Sequence, residues 1–160
     1  MNVTATAAGT ATATLAVSAT VTQNCTISTS PMAFGAYDPV LGSNVTASGT
    51  VVVACTKGAT STYVGLGNGV NFATTRNMVG AVSTDKLAYT LVQPVSTTPG
   101  AACPAYGANT DWGSTAGTSP VIGISPGKAA RTYNVCGQIA AGQDVSVDTY
   151  SDTVVATINF

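Results

Sequence analysis

From residue 3 to residue 21 apolar and hydroxyl side chains alternate almost without a break. Val3, Ala5, Ala7, Ala11, Ala13, Leu15, Val17, Ala19 and Val21 share one parity, and Thr4, Thr6, Thr10, Thr12, Thr14, Ser18, Thr20 and Thr22 share the other. A period of two belongs to an extended strand, whose successive side chains point to opposite faces. At about 3.3 Å per residue the run would reach roughly 60 Å, longer than a strand of an ordinary domain. The pattern predicts a strand with one apolar and one hydroxyl side, part of which projects beyond its own fold.

Further strands are predicted at 49–56, 62–67, 86–93, 121–124, 131–138 and 153–160, separated by Gly and Pro. Many short strands at such spacing, with no stretch of helical period, specify an all-β antiparallel sandwich. The segment 97–119, rich in small residues, Gly and Pro, is the expected long surface loop. In the final strand Val154, Ala156, Ile158 and Phe160 face one way, and the chain stops where a sandwich wants one more edge strand.

Composition narrows the chemistry. A chain of 160 residues holds one domain. Charged residues make up 7%, with a net charge of −1, so no basic surface exists for nucleic acid. No window approaches the roughly 18 apolar residues of a membrane span, so no direct membrane insertion is expected. Histidine is absent, which removes the commonest general base and metal ligand. Four cysteines without a C-x-x-C pair read as two disulfides in an oxidising compartment, with three connectivities open. Such a protein is exported. The opening Met1-Asn2-Val3-Thr4 has no leader character, so either a leader has been removed or this is a mature form.

Several motifs invite sharper readings that the residues do not support. Gly123-Ile124-Ser125-Pro126-Gly127 matches the nucleophile elbow but has no histidine to take the serine proton, so a turn is expected. Gly65-Leu66-Gly67-Asn68-Gly69 lacks the third glycine of a phosphate cradle and reads as a loop. Asp144, Asp148 and Asp152 stand roughly 13 Å apart in sequence steps along an extended chain, so local backbone hydrogen bonding is expected rather than a metal site. Lys57, Lys86, Lys128, Arg76 and Arg131 are scattered and read as surface charges. Trp112 is expected to pack a loop against the sandwich rather than to stack a ligand, and Tyr63, Tyr89, Tyr133 and Tyr150 to pack core or edge. No cofactor, metal or catalytic group is expected, and an enzyme is the least supported class.

From 23 to 160 the chain resembles the spore coat protein U domain, the module of archaic chaperone-usher pilus subunits. The resemblance rests on Cys25-Thr26-Ile27, Phe34-Gly35-Ala36-Tyr37-Asp38-Pro39, Gly49-Thr50-Val51-Val52-Val53-Ala54-Cys55-Thr56, Arg76-Asn77-Met78 and Leu87-Ala88-Tyr89-Thr90-Leu91. Downstream it rests on Asp111-Trp112-Gly113, Tyr133-Asn134-Val135-Cys136-Gly137-Gln138-Ile139, Ala141-Gly142-Gln143 and Tyr150-Ser151-Asp152-Thr153-Val154.

The resemblance implies an immunoglobulin-like antiparallel β-sandwich that lacks its last strand. That strand is supplied in trans, first by a periplasmic chaperone and then by the N-terminal extension of the next subunit. The division implied is a donor extension at 1–18 and a pilin domain at 19–160. Ala11, Ala13, Leu15 and Val17 would enter a neighbour's groove, with Val3, Ala5 and Ala7 as further contacts, and the parity carries on through Ala19 and Val21 into the first core strand. Val154, Ala156, Ile158 and Phe160 would line the acceptor groove. Cys25 would pair with Cys55, leaving Cys103 with Cys136 as an addition to the family's common single bridge. Asp148 stands where the family usually has glycine, so the turn there should differ.

The expected function is structural: a subunit of a secreted surface pilus, polymerised head to tail by donor-strand exchange and supporting adhesion and biofilm formation. Its partners would be copies of itself, the chaperone and an outer-membrane usher. The alternatives are a tip adhesin or carbohydrate-binding module, or a non-polymerising coat protein, on the same sandwich.

Overall fold

The computed structural model describes residues 1–5, 8–60, 62–107 and 110–160. Eight strands form: β1 (Cys25–Ser30), β2 (Val45–Cys55), β3 (Tyr63–Leu66), β4 (Arg76–Gly80), β5 (Lys86–Val92), β6 (Arg131–Ile139), β7 (Tyr150–Ser151) and β8 (Ala156–Asn159). They make a larger sheet in the order β1-β2-β6-β5-β4-β7 and a smaller one of β3 and β8, all pairs antiparallel. The fold is all-β, as the alternation requires.

The core follows from parity. On β2, Gly49, Val51, Val53 and Cys55 are buried while their neighbours are half-buried, and across the ladder Val51 faces Tyr133 and Gly49 faces Val135. Leu87, Tyr89 and Leu91 of β5 join them, and Val64 and Leu66 close the core from the smaller sheet. Trp112 is fully buried. Its indole Nε1 donates to Val64 O at 2.7 Å and its backbone N to Leu91 O at 2.8 Å, so the 97–119 segment tucks one large side chain between the sheets.

The bridges Cys25–Cys55 and Cys103–Cys136 are present. The first joins β1 to β2 at a paired position, and the second straps the long loop to β6. Ser125 is buried, and its hydroxyl donates to Gly127 O at 2.9 Å. It closes a turn.

Four expectations need correction. Residues 1–5 and 8–24 are exposed and carry no hydrogen-bonded strand, so the alternating run predicted as a strand makes none among its described residues, and the first strand opens at Cys25. An extended segment is a strand only when a neighbour takes its N–H and C=O groups, and among the described residues of the arm only its root, at Thr22 and Asn24, finds backbone partners, on Thr56. The parity itself does continue, because Cys25 and Ile27 pack inward. Second, 121–124 makes only one bridge, Tyr63 to Val121. Third, the last strand is confined to Ala156–Asn159. Fourth, Arg76 is no surface charge. It is 8% exposed, and its guanidinium donates to the carbonyls of Gly67, Leu66 and Trp112 at 2.9, 3.0 and 2.8 Å. Burial pushes its pKa down, yet three carbonyl dipoles solvate the cation that remains. Arg131 is half-buried and donates to Ile122 O at 3.0 Å.

Candidate functional site

Strand β1 pairs only with β2, and β8 only with β3, so among the described residues each keeps one free edge. These two strands approach each other across the open side of the sandwich. A cavity of about 580 Å³ opens there, with Thr29 and Ser30 on one wall, Val154 and Ala156 on the other, and Val51, Leu66, Leu91 and Val135 within it. A second cavity of about 600 Å³ shares Met32, Phe34, Met78 and Tyr150 with the first and runs on to Pro39 and Val147. Together they form one apolar cleft.

Each wall is held by identifiable contacts. After β1, Met32 and Phe34 lie over Gly137, where a Cβ would collide with the Met32 Sδ and the Phe34 ring. Only glycine leaves the sheet flat enough for them. The Phe34 ring packs on Tyr89 with centroids 6.1 Å apart.

On the opposite wall the chain leaves the large sheet at β7 and joins the small one at β8, and Asp152 sits at that crossing. Its Oδ2 accepts the Tyr89 hydroxyl at 2.6 Å, while Oδ1 accepts the backbone N–H groups of Val70 and Asn71 at 3.0 and 3.2 Å. Gly69, at φ 88°, gives way to this carboxylate, which a Cβ would overlap. The glycine-rich loop thus wraps an internal anion. Burial, reinforced by the Asp152 bond, holds the Tyr89 hydroxyl far above the usual tyrosine range.

Asp148 accounts for the departure from the family pattern. Its Oδ2 accepts Val82 N and Ser83 N at 2.8 and 2.7 Å, tying the β4–β5 turn to the 145–149 strap. Those backbone donors, Ser83 first, lower its pKa to about 2. Asp85 returns the contact, accepting the Ser146 hydroxyl and N–H at 2.6 and 2.9 Å, and its pKa is lowered by those bonds. The strap lines the second cavity. Asp144 is exposed.

Of the residues singled out from sequence, Val154 and Ala156 line the cleft, Ile158 packs on the core beside it, and Phe160 is 51% exposed. Ala5, Ala11 and Ala13 are exposed, as are Leu15 and Val17 at 85% and 86%, and none lines the cleft of its own chain. Ala7 lies outside the described residues. Sequence reasoning gave no role to Met32 or Phe34, took Tyr89 for core or edge packing and Asp152 for local backbone hydrogen bonding, and placed none of the four at the cleft, although Phe34, Tyr89 and Asp152 stand in the motifs that carried the resemblance.

The family model of the Spore Coat Protein U domain matches residues 11–157. The chain belongs to the spore coat protein U domain family. Within reach of that family, Protein U of Myxococcus xanthus is 35% identical over 170 residues, covering 96% of this chain and 87% of its own length. Among solved structures, the CsuC-CsuE chaperone-tip adhesion subunit pre-assembly complex from archaic chaperone-usher Csu pili of Acinetobacter baumannii contains a similar chain. The TM-score is 0.61 at 22% identity, over 88% of this chain and 41% of that one. The likeness places the two sheets described above in an immunoglobulin-like β-sandwich.

Proposed function

We propose that this chain is a structural subunit of an exported bacterial surface pilus, non-enzymatic and polymerised by donor-strand exchange. The observation that carries the reading is the pairing of opposites in one molecule: an apolar cleft between the free edges of β1 and β8, and an exposed arm with an apolar side of period two. An added strand satisfies both edges with backbone hydrogen bonds, while alternate side chains fill the cleft. Ala11, Ala13, Leu15 and Val17 of one copy would face Val154 and Ala156 of the next, with Ala5 and Ala7 extending the contact. Burying Leu15 and Val17 would contribute about 1.5–3 kcal/mol each.

Because donor and acceptor are different surfaces, the contact is head to tail and propagates a filament. In this reading residues 1–18 are the donor and 19–160 the receiving domain. A periplasmic chaperone fills the cleft before export through an outer-membrane usher, and the fibre serves adhesion and biofilm formation. The similar chain from a chaperone-tip adhesion subunit complex supports it.

Electron microscopy and SDS gels with and without boiling, on the full chain and on a chain lacking residues 1–17, test the proposal. Fibres that resist SDS until boiled and vanish with the truncation are expected. A wild-type monomer unchanged by truncation would instead favour a non-polymerising coat protein, the reading to which the family's description as a spore coat domain lends support.

A further inference from the structure

The root of the arm is tied down on one side only. Asn24 extends the β1–β2 ladder by one step: Thr56 N donates to Asn24 O at 2.8 Å, and Asn24 N donates to the Thr56 hydroxyl at 3.1 Å. Gln23 then reaches past the end of β2 to the backbone of Thr60. Its Nε2 donates to Thr60 O at 3.3 Å, and Thr60 N donates to its Oε1 at 3.2 Å. A primary amide satisfying both groups of one residue mimics a strand partner. The Asn24 bonds lie on the β2 side of β1, opposite its free edge, and the Gln23 bonds hold the root to the segment that connects β2 with β3.

The sequence above the root adds a second constraint. Between Thr10 and Thr22 there is no Gly, Pro, Asn or Asp, so no position there favours a reversal. Parity restricts the reversal further. To set Val17 and Leu15 inward beside Cys25 and Ile27, a fold-back needs a loop with an odd number of residues, because an even loop turns every side chain to the wrong face. A three-residue loop at 20–22 meets that condition but calls for a left-handed third residue. That residue is Thr22, and a β-branched side chain is strongly disfavoured there.

We infer that Gln23 is a positioning residue that directs the arm away from its own cleft, so that strand donation takes place between copies rather than within one. The inference rests on the donor-strand reading above. It assigns the choice between self-completion and polymerisation to the root clamp together with the turn-free run 10–22.

Three full-length chains test it: wild type, a turn variant (Thr22→Gly), and the turn variant carrying Gln23→Ala as well. The readouts are the monomer-to-polymer ratio by light scattering and uptake of a labelled peptide of residues 3–17, with Trp112 emission reporting that each chain is folded. Losing the two Gln23 bonds should raise the monomer fraction of the turn variant about fivefold, and the added monomer should refuse the peptide because its cleft is filled. Equal ratios in the two turn variants would overturn the role of Gln23 while leaving the donor reading intact. If none of the three chains polymerises or takes up the peptide, the donor reading falls and this inference falls with it.

Discussion

The Tyr89 hydroxyl donates to the Asp152 carboxylate at 2.6 Å across the two walls of the sandwich. Tyr89 lies on β5 of the larger sheet, and Asp152 lies where the chain crosses to the smaller one. The same carboxylate gathers the N–H groups of Val70 and Asn71. One side chain therefore fixes the wall of the cleft formed by 150–156. A wall ordered in advance lowers the cost of adding a strand.

Removing that link should weaken the whole domain. Asp152→Ala leaves the Tyr89 hydroxyl and the Asn71 N–H without their acceptor, while Val70 N keeps Thr153 O, and should cost about 2–4 kcal/mol, whereas Tyr89→Phe should cost about 1–2 kcal/mol. Chemical denaturation of the two variants checks the order. Equal small losses would show that Asp152 is not a hub.

Acid should loosen the 145–149 strap first. Folding lowers the Asp148 pKa to about 2 through the Ser83 and Val82 donors, against an unfolded value of about 4. Its contribution is therefore complete above the unfolded value and is lost as pH falls towards 2. Asp85, lowered by Ser146, acts in the same direction. Melting temperature followed from pH 5 down to about pH 2 should fall less steeply in Asp148→Asn than in wild type. Parallel curves would contradict this.

Trp112 should report the interior and not a ligand. It is the one tryptophan of the chain, fully buried and bonded to Val64 O. Its fluorescence should resist acrylamide and stay unchanged on adding sugars. Trp112→Phe should lose about 2–4 kcal/mol from the missing donor and the space left behind.

The two disulfides close loops of separation 30 and 33, so by loop-closure entropy each should contribute about 3–4 kcal/mol at most. Pairwise Ser variants should show comparable losses in denaturation.

The parts of the fold legible in the sequence are those where parity alone decides. Strand β2 reads from Val51, Val53 and Cys55, and β6 from Tyr133 and Val135, because each run alternates and ends at turn residues. Strand β4 does not read this way. Its buried Arg76 is solvated by carbonyls of Leu66, Gly67 and Trp112, groups that every sequence possesses and none displays. Residues 121–124 have strand composition, yet only Val121 finds a bridge, since pairing depends on a neighbour that local sequence does not name. In the cleft, the parity of Val154 and Ala156 is visible from the last strand. The Asp152 hub and the seat of Phe34 on Gly137 depend on how distant strands cross, which one sequence does not reveal.

The most direct test of strand donation places a photo-crosslinking amino acid at Leu15 in isotopically heavy chains co-assembled with light ones. Mass spectrometry then identifies the partner residue and the copy it comes from. Expected are heavy-to-light links to the cleft, at Leu66, Leu91, Val154 or Ala156. Links confined within single chains, or links to surfaces outside the cleft, would contradict the assembly proposed for this protein.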